Sequence, residues 1–425
     1  MGLPLIHRRS ADKTPPNPRV RHEWEPGDRG QLGVICFSHA VQHFYPAALA
    51  VSYPFIVESL HISYGTLGVV LGIAGVLGGV LQGVAGFFEK VSARVLLSAQ
   101  NLALAVSIAL AGLAPGFTFF GAARCVGAIA SWPQHPIGNS LLVRRFPTRR
   151  AFALSSHTAG GSIGTAVIPL IATALIAAFG WRWELVLIAT PMALGGFLVM
   201  ARLRDIPPSE HDVDLGREGS LAATVRLRDV ITRRQVFGAL AAGTVAAAGR
   251  GLGALNTYVP AYLRTGLRLQ TLTVGVVFTV IVIGSIAGPI VAGLVSDRMG
   301  RSRVLASVYL VGAAMMVLFV LVGASLLGLL VVGVLLGAFA YSESPLLQAV
   351  FSEGTEGAPV RAAFGLYFAI SYGVGALWLP LLGYIIDTAG FHVAFFSMAC
   401  SFVLASLIVL ASRPVPTAEP RGRDS

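Results

Sequence analysis

Charge is the scarcest property of this sequence. Of 425 residues only 12% are Asp, Glu, Lys or Arg, and just 20 are acidic; a water-soluble globular domain carries about 25% charged residues. With 55% hydrophobic residues and a mean hydropathy of +0.74, the composition excludes soluble enzymes, disordered chains and nucleic-acid-binding domains. Cysteine is rare as well. Cys36, Cys125 and Cys400 all fall in apolar runs, so no disulfide framework is implied. The first 30 residues hold Arg8, Arg9, Lys13 and Pro15-Pro16 but lack the apolar core and cleavage site of a signal peptide. The first apolar run is therefore expected to act as an uncleaved insertion signal. Strand alternation is absent, and no glycine-rich loop ends in Lys-Ser/Thr, so coupling to ATP within the chain is not expected. Nor is a catalytic constellation or a cofactor: the reading is of a protein that is not an enzyme.

The charges that exist are clustered. Runs without Asp, Glu, Lys or Arg cover 30–57, 59–88, 95–123, 151–181, 269–296, 304–342, 362–386 and 388–412, each long enough for the roughly 20 residues of a membrane-spanning helix. Spans are expected at 31–57, 65–88, 95–113, 117–140, 151–178, 183–201, 235–263, 270–296, 304–323, 326–350, 362–386 and 390–412. In hydrocarbon the backbone must satisfy itself, so these are helices. The fold class is an all-α polytopic membrane protein with twelve transmembrane helices. An N-terminal tail (1–30) precedes a six-helix bundle (31–201). A linker (202–234) around Pro207-Pro208, a second bundle (235–412) and a tail (413–425) follow. Nearly all the Lys and Arg residues fall in the tails and alternate loops. The exceptions are Arg182, Arg264 and Arg268 on the other side, and Arg124 and Arg250 inside spans. This positive-inside bias places both termini in the cytoplasm, in an inner cell membrane, and makes the net charge of +11 a report of topology rather than of a nucleic-acid partner. Lipid is the partner on the outside of the bundle, and a monomer is expected.

The two bundles repeat one another. Val51-Ser52-Tyr53-Pro54 answers Thr257-Tyr258-Val259-Pro260, and Leu67-Gly68-Val69-Val70 answers Val274-Gly275-Val276-Val277. Gly127-Ala128-Ile129-Ala130 answers Gly337-Ala338-Phe339-Ala340, and Arg150-Ala151 answers Arg361-Ala362. The offset stays near roughly 210 residues throughout and the span order is the same, so the halves are parallel repeats about an axis along the membrane normal.

Residues 293–305 read Gly-Leu-Val-Ser-Asp-Arg-Met-Gly-Arg-Ser-Arg-Val-Leu. This resembles the loop signature between spans 8 and 9 of the major facilitator superfamily, with Gly293, Asp297, Arg298, Gly300 and Arg301 on its pattern; Ser302 stands where a second basic residue is usual. The first-half copy, 86–96, is shorter, lacks the second glycine, and has Glu89 in place of the aspartate with Arg94 after it. The resemblance implies gating roles for these loops, the acid latching onto a neighbouring helix start where amide donors favour negative charge. The run Gln134-His135-Pro136-Ile137-Gly138-Asn139-Ser140, with Arg149-Arg150-Ala151 and Gly160-Gly161-Ser162-Ile163-Gly164 after it, is similar to the fosmidomycin-resistance-like branch. Ile168 before Pro169 departs from the glycine of the family's antiporter motif.

The resemblance implies that spans 1, 4, 7 and 10 line a central cavity. Each carries ionisable side chains here: His39 and His43 with Gln42 on span 1, Arg124 and His135 on span 4, Arg250 on span 7, Glu343 on span 10. Charge in hydrocarbon costs several kcal/mol, so such residues face a cavity or a partner. His39 and His43 are i, i+4 and share a helix face; Arg124 and His135 lie nearly in register about 16 Å apart. Glu343, the one acid well inside an expected span, is the candidate proton-coupling carboxylate. His39, His43 and His135 are second candidates because imidazole titrates near neutral pH. A fixed Glu343–Arg250 or Glu343–Arg124 pair that only holds helices together is the competing role, as hydrogen bonding inside the bundle is for the histidines. Arg124, Arg250, His39, Gln42, His43, His135, Asn256 and Tyr341 are the candidate substrate ligands, with Tyr53, Tyr258 and Trp378 as further wall residues. His39 and His43 have metal-ligand spacing, but the glutamate of a metalloprotease helix is missing between them and no metal site is expected. Two Arg against one Glu favour a small anion, since guanidinium binds carboxylate or phosphonate bidentately.

Span 2 carries Gly68, Gly72, Gly75, Gly79 and Gly83 along one face, and span 11 carries Gly373, Gly375, Pro380 and Gly383; both read as close helix-packing surfaces. The expected function is alternating-access, proton-coupled efflux of a small organic anion or amphiphilic drug-like compound. Uptake symport of an organic anion is the alternative. A membrane receptor or sensor that binds without moving substrate is the different-class reading.

Overall fold

The computed structural model describes residues 27–83, 91–146, 149–205, 230–355 and 360–412. Glu89, the linker centre and both tails lie outside them. Among the described residues the regular structure is helical. The helices are α1 (Asp28–Ser59), α2 (Tyr64–Gly83), α3 (Ala93–Gly112), α4 (Phe117–Ala130), α5 (Gln134–Arg145) and α6 (Arg150–Arg202) in the first half. The second half has α7 (Arg234–Ala246), α8 (Asn256–Ala261), α9 (Thr271–Met299), α10 (Arg301–Leu321), α11 (Leu326–Gly354), α12 (Val360–Phe368) and α13 (Trp378–Ala411).

These helices supply the expected twelve crossings in an uneven way. α6 is two passes, because Gly180 (φ 78, ψ 163) interrupts it. Either side of that point folds back along α1: Gly160 and Gly164 lie against Cys36 and Ala40, and Gly195 against Val41. α13 turns in the same manner at Gly390 (φ 84, ψ 172), the counterpart of Gly180 in the repeat. A side chain is strained at such φ values, which is why both turns are glycine.

Span 4 is broken at Ser131-Trp132-Pro133 into α4 and α5. Pro133 occupies the N-cap of α5 and Pro136 its first turn, where a missing N–H is tolerated. Span 7 is broken more deeply. Arg250 is extended (φ -61, ψ 133), and the backbone stays non-helical at Leu252 (φ -82, ψ 76) and Gly253 (φ 174, ψ -124) before α8 resumes the helix and a π-turn follows at Tyr262–Gly266. Irregular backbone at membrane depth is tolerated where protein covers it or a cavity borders it. Span 11 carries a third irregularity, π at Ala369–Gly373 and 3-10 at Val374–Leu377. Leu327, Leu294, Phe237, Leu194 and Phe197 point outward and are more than 60% exposed, the apolar belt that lipid covers.

The halves meet along α2 and span 11. A Cβ at Gly75 would stand 2.5 Å from the Ala376 Cβ, one at Gly79 2.7 Å from the Gly373 nitrogen, and one at Gly68 2.8 Å from the Pro380 Cα. The expected packing role of these glycines is thus realised, with the two stripes facing each other. At the end opposite the termini the contact is polar. The Asp387 carboxylate of span 11 accepts from the Tyr64 and Gly65 amides at 2.9 and 2.7 Å, at the start of α2, and the Tyr64 hydroxyl meets Thr265 Oγ1 at 2.8 Å. A carboxylate on two N-terminal amides complements the helix dipole. Asp387→Ala is expected to weaken closure at this end by about 1–2 kcal/mol, the scale of an N-cap. Spin labels at positions 61 and 392, on the two halves at that end, then gain a longer-distance population in pulsed electron resonance. An unchanged distribution overturns the latch.

Gly300 has φ 89 and closes α9, a backbone need that explains the second glycine. Gly293 has open space around it and Arg298 is exposed. Asp297, 67% exposed, lies 3.9 Å from Arg301, and Arg301 pairs with Glu353 of α11 at 2.9 Å. At the start of α3 it is Asp205 that grips the helix, as Asp387 does at α2: it accepts from the Arg94 amide at 2.9 Å and from the Ser92 hydroxyl.

Candidate functional site

Between the halves lies a cavity of about 330 Å³, within the range of small-molecule sites. Gln42, His43, Arg124 and His135 border it from the first half, Arg250 and Asn256 from the second. Three expected wall residues stand behind that surface. His39 is only 4% exposed and backs His43. Tyr341 donates to Asn256 Oδ1 at 3.0 Å, and Glu343 is fully buried. The cavity is therefore bordered by spans 1, 2, 3, 4, 7 and 11, and Tyr341 and Glu343 of span 10 bond to the span 7 residues that face it. Tyr53 borders it too, whereas Tyr258 bonds the Leu379 carbonyl at 2.5 Å and Trp378 the Thr244 carbonyl at 3.0 Å.

The two arginines are held in unlike ways. The break at 247–251 turns Arg250 into the second bundle, where its Nε donates to Glu343. Its other nitrogens donate to the Ser371 and Gly243 carbonyls, both at 2.8 Å, and Tyr372 stacks 4.3 Å from the guanidinium. Tyr309 completes the set by donating to the second Glu343 oxygen at 3.1 Å. Of the two pairs the sequence left open, Glu343–Arg250 forms. Arg124, half-buried, donates to the hydroxyls of Tyr53 at 3.3 Å and Tyr45 at 3.2 Å, with the Tyr45 ring 5.0 Å away. Among the described residues no carboxylate lies within ion-pair distance of Arg124. The surplus of positive charge is thus concentrated at one cavity residue rather than shared between two.

Four histidines meet in the first half. His39 and His43 approach through their Nε2 atoms at 3.1 Å. His135, from α5, has its ring centroid 5.0 Å from that of His39, and His157 stacks on His39 at 4.0 Å. His157 was missed in the sequence because no spacing links residue 157 to 39; its signal was a histidine inside a charge-free run. Glu184, also missed, is fully buried and accepts from Ser52 at 2.7 Å, so Glu343 is not the sole buried acid. Glu184 is the second residue of the expected span 183–201, a position that does not by itself signal burial.

A family model described as Major Facilitator Superfamily matches residues 35–291 and again 249–425. The chain is 28% identical to the glycine betaine/proline/ectoine/pipecolic acid transporter OusA of Dickeya dadantii over 69% of this chain and 64% of that protein's length. It is 23% identical to the fosmidomycin resistance protein of Escherichia coli over 88% of this chain and 90% of that one. Its fold matches the crystal structure of the nucleoside transporter NupG with a TM-score of 0.71 and 12% identity, covering 90% of this chain and 98% of the other.

Proposed function

The chain belongs to the major facilitator superfamily, and from that premise we propose that it is a proton-coupled secondary transporter of a small organic anion. The observation that carries the anion is Arg124: a guanidinium on the cavity surface whose partners are two tyrosine hydroxyls. Its remaining donors suit a carboxylate or phosphonate. With both termini in the cytoplasm of an inner membrane, as the positive-inside bias favours, the end latched by Asp387 faces outward and the cavity opens towards the inside, where a symporter releases its substrate. Asn256 and Gln42 supply the polar contacts that orient the ligand.

Proton coupling is assigned to Arg250 and Glu343. Arg250 borders the cavity while its charge is spent on Glu343 behind it. When Glu343 takes up a proton, the guanidinium becomes available to a cavity anion; proton and anion then bind with positive linkage, which favours their moving in the same direction. This supports the symport reading over efflux. Efflux of an anion or amphiphile is the second reading, favoured by the likeness to the fosmidomycin resistance protein over nine-tenths of that protein's length.

The test is substrate-induced proton movement in proteoliposomes across a panel of carboxylates, phosphonates and amphiphilic drugs. Symport predicts protons entering with the anion, and the opposite sign establishes efflux. Arg124→Gln, which keeps hydrogen bonding but removes the charge, is expected to weaken anion binding about 10- to 100-fold, the scale of a charge-assisted hydrogen bond. Unchanged binding sinks the assignment of Arg124. Binding without any counterflow in the wild type would convert the reading to a receptor.

A further inference from the structure

The histidine cluster has a geometry that the transport reading does not use. His39 Nδ1 lies 2.7 Å from the His157 carbonyl oxygen. A carbonyl only accepts, so this nitrogen carries the proton and Nε2 carries the lone pair. His43 Nδ1 lies 2.8 Å from Thr165 Oγ1, and that hydroxyl spends its own proton on the Gly161 carbonyl at 3.0 Å. It therefore accepts from His43, whose Nε2 also presents a lone pair. The two Nε2 atoms face each other at 3.1 Å, an arrangement that calls for a cation between or beside them. Two ligands of a tetrahedral zinc ion, each about 2.0–2.1 Å from the metal, stand about 3.3 Å apart. His135 brings a third imidazole, and one ligand nitrogen from each of His39, His43 and His135 lies within 4.8 Å of the others.

We infer that His39, His43 and His135 form a binding site for a divalent transition-metal ion of the zinc type on the cavity wall. Three features beyond proximity support it. Two of the three rings are fixed through Nδ1 by oxygen acceptors, the outer-shell arrangement that orients metal-binding histidines and sets their tautomer. The His157 ring stacks on His39. Gly161 leaves room for it, since a Cβ there would stand 2.6 Å from His39 Cε1. Three imidazoles without a thiolate suit zinc, nickel or cobalt(II) rather than magnesium or calcium. His43 and His135 border the cavity, so the remaining coordination position opens to water or to an anionic donor there.

The test uses the full-length protein, free of any affinity tag, stripped of metal and titrated with Co²⁺ and then Zn²⁺. One equivalent of Co²⁺ is expected to give a visible d–d absorption that Zn²⁺ bleaches. His43→Gln and His135→Gln should each weaken binding at least about 100-fold, and His392→Gln, at the far end of the second half, should not. Gly161→Ala keeps all three ligands but displaces the His39 ring, and is expected to cost about 10-fold, the scale of an outer-shell defect. Absence of binding, or binding that survives in a His39/His43/His135→Gln triple variant, overturns the site; the histidines are then a hydrogen-bonded chain with Thr165 donating to His43. The readout is the metal itself, so failure of the transport reading leaves it intact.

Discussion

Glu343→Leu is expected to destabilise the protein by about 3–5 kcal/mol, the cost of stranding one member of a buried ion pair. Arg250 is 3% exposed and Glu343 fully buried, and guanidinium cannot shed its proton. Without Glu343 the positive charge keeps two backbone carbonyls and the Tyr372 face but has no counter-charge in a membrane interior. Arg250→Met is expected to cost less, because a stranded carboxyl can take up a proton and keep its Tyr309 contact. Removing both, as Arg250→Met with Glu343→Leu, should recover most of the stability, since well-packed apolar replacements of a buried pair are often neutral. Equilibrium unfolding in mixed micelles reads all three. Additive losses in the double variant would show that the two charges do not compensate each other. The double variant is also the decisive test of coupling: a stable protein that still moves protons with substrate removes Glu343 from the mechanism.

Bulk at the glycine seam should have a comparable effect on conformation rather than on folding. Gly75 and Gly79 have no room for a Cβ: the Ala376 Cβ and the Gly373 backbone occupy the place. Backbone cannot rotate aside as a side-chain tip can, and overpacking of a tight contact costs about 1–3 kcal/mol. Gly75→Ala with Gly79→Ala is therefore expected to disfavour the packed arrangement of α2 on span 11 by up to about 100-fold, with the bundles parting at the end that Asp387 closes. The same pair of spin labels at 61 and 392 reads the shift. Gly78, whose nearest neighbour would be the Ala128 carbonyl at 3.6 Å, is the control on the same helix: Gly78→Ala should leave the distance distribution as it is. Equal distributions in the two would mean that the seam does not govern which arrangement is populated.

Composition and periodicity reached the helical class, the pairing of halves and the two glycine faces, because each follows from residues close in sequence or repeated at a fixed offset. The breaks in spans 4 and 7 were harder to read. Ser131-Trp132-Pro133 and Gly249 to Gly253 look like ordinary apolar helix with small interruptions, and only tertiary support for Arg250 and His135 makes the interruption worthwhile. Glu343 and Arg250 could be named as possible partners from charge alone, yet the choice between Arg124 and Arg250 needed the turn that aims Arg250 inward. Asp387, Asp205, Glu184 and His157 bond to residues 111 or more positions away, with no periodic signal joining them; Asp205, for instance, reaches the Arg94 amide 111 residues earlier. The acid–helix-start contact expected of the motif loops is made in this arrangement by Asp205 and Asp387, while Asp297 is exposed beside Arg301 and Glu89 lies outside the described residues; any carboxylate that reaches an amide pair can fill that role.

The glycine turns at 180 and 390 also bear on how the chain is made. With the connections 60–63, 113–116, 267–270 and 322–325, they leave the face opposite the termini with little more than tight turns. Paired helices can then enter the bilayer as hairpins without dragging a hydrophilic segment across it, and a protease or antibody arriving from that side finds almost no extended chain to grip.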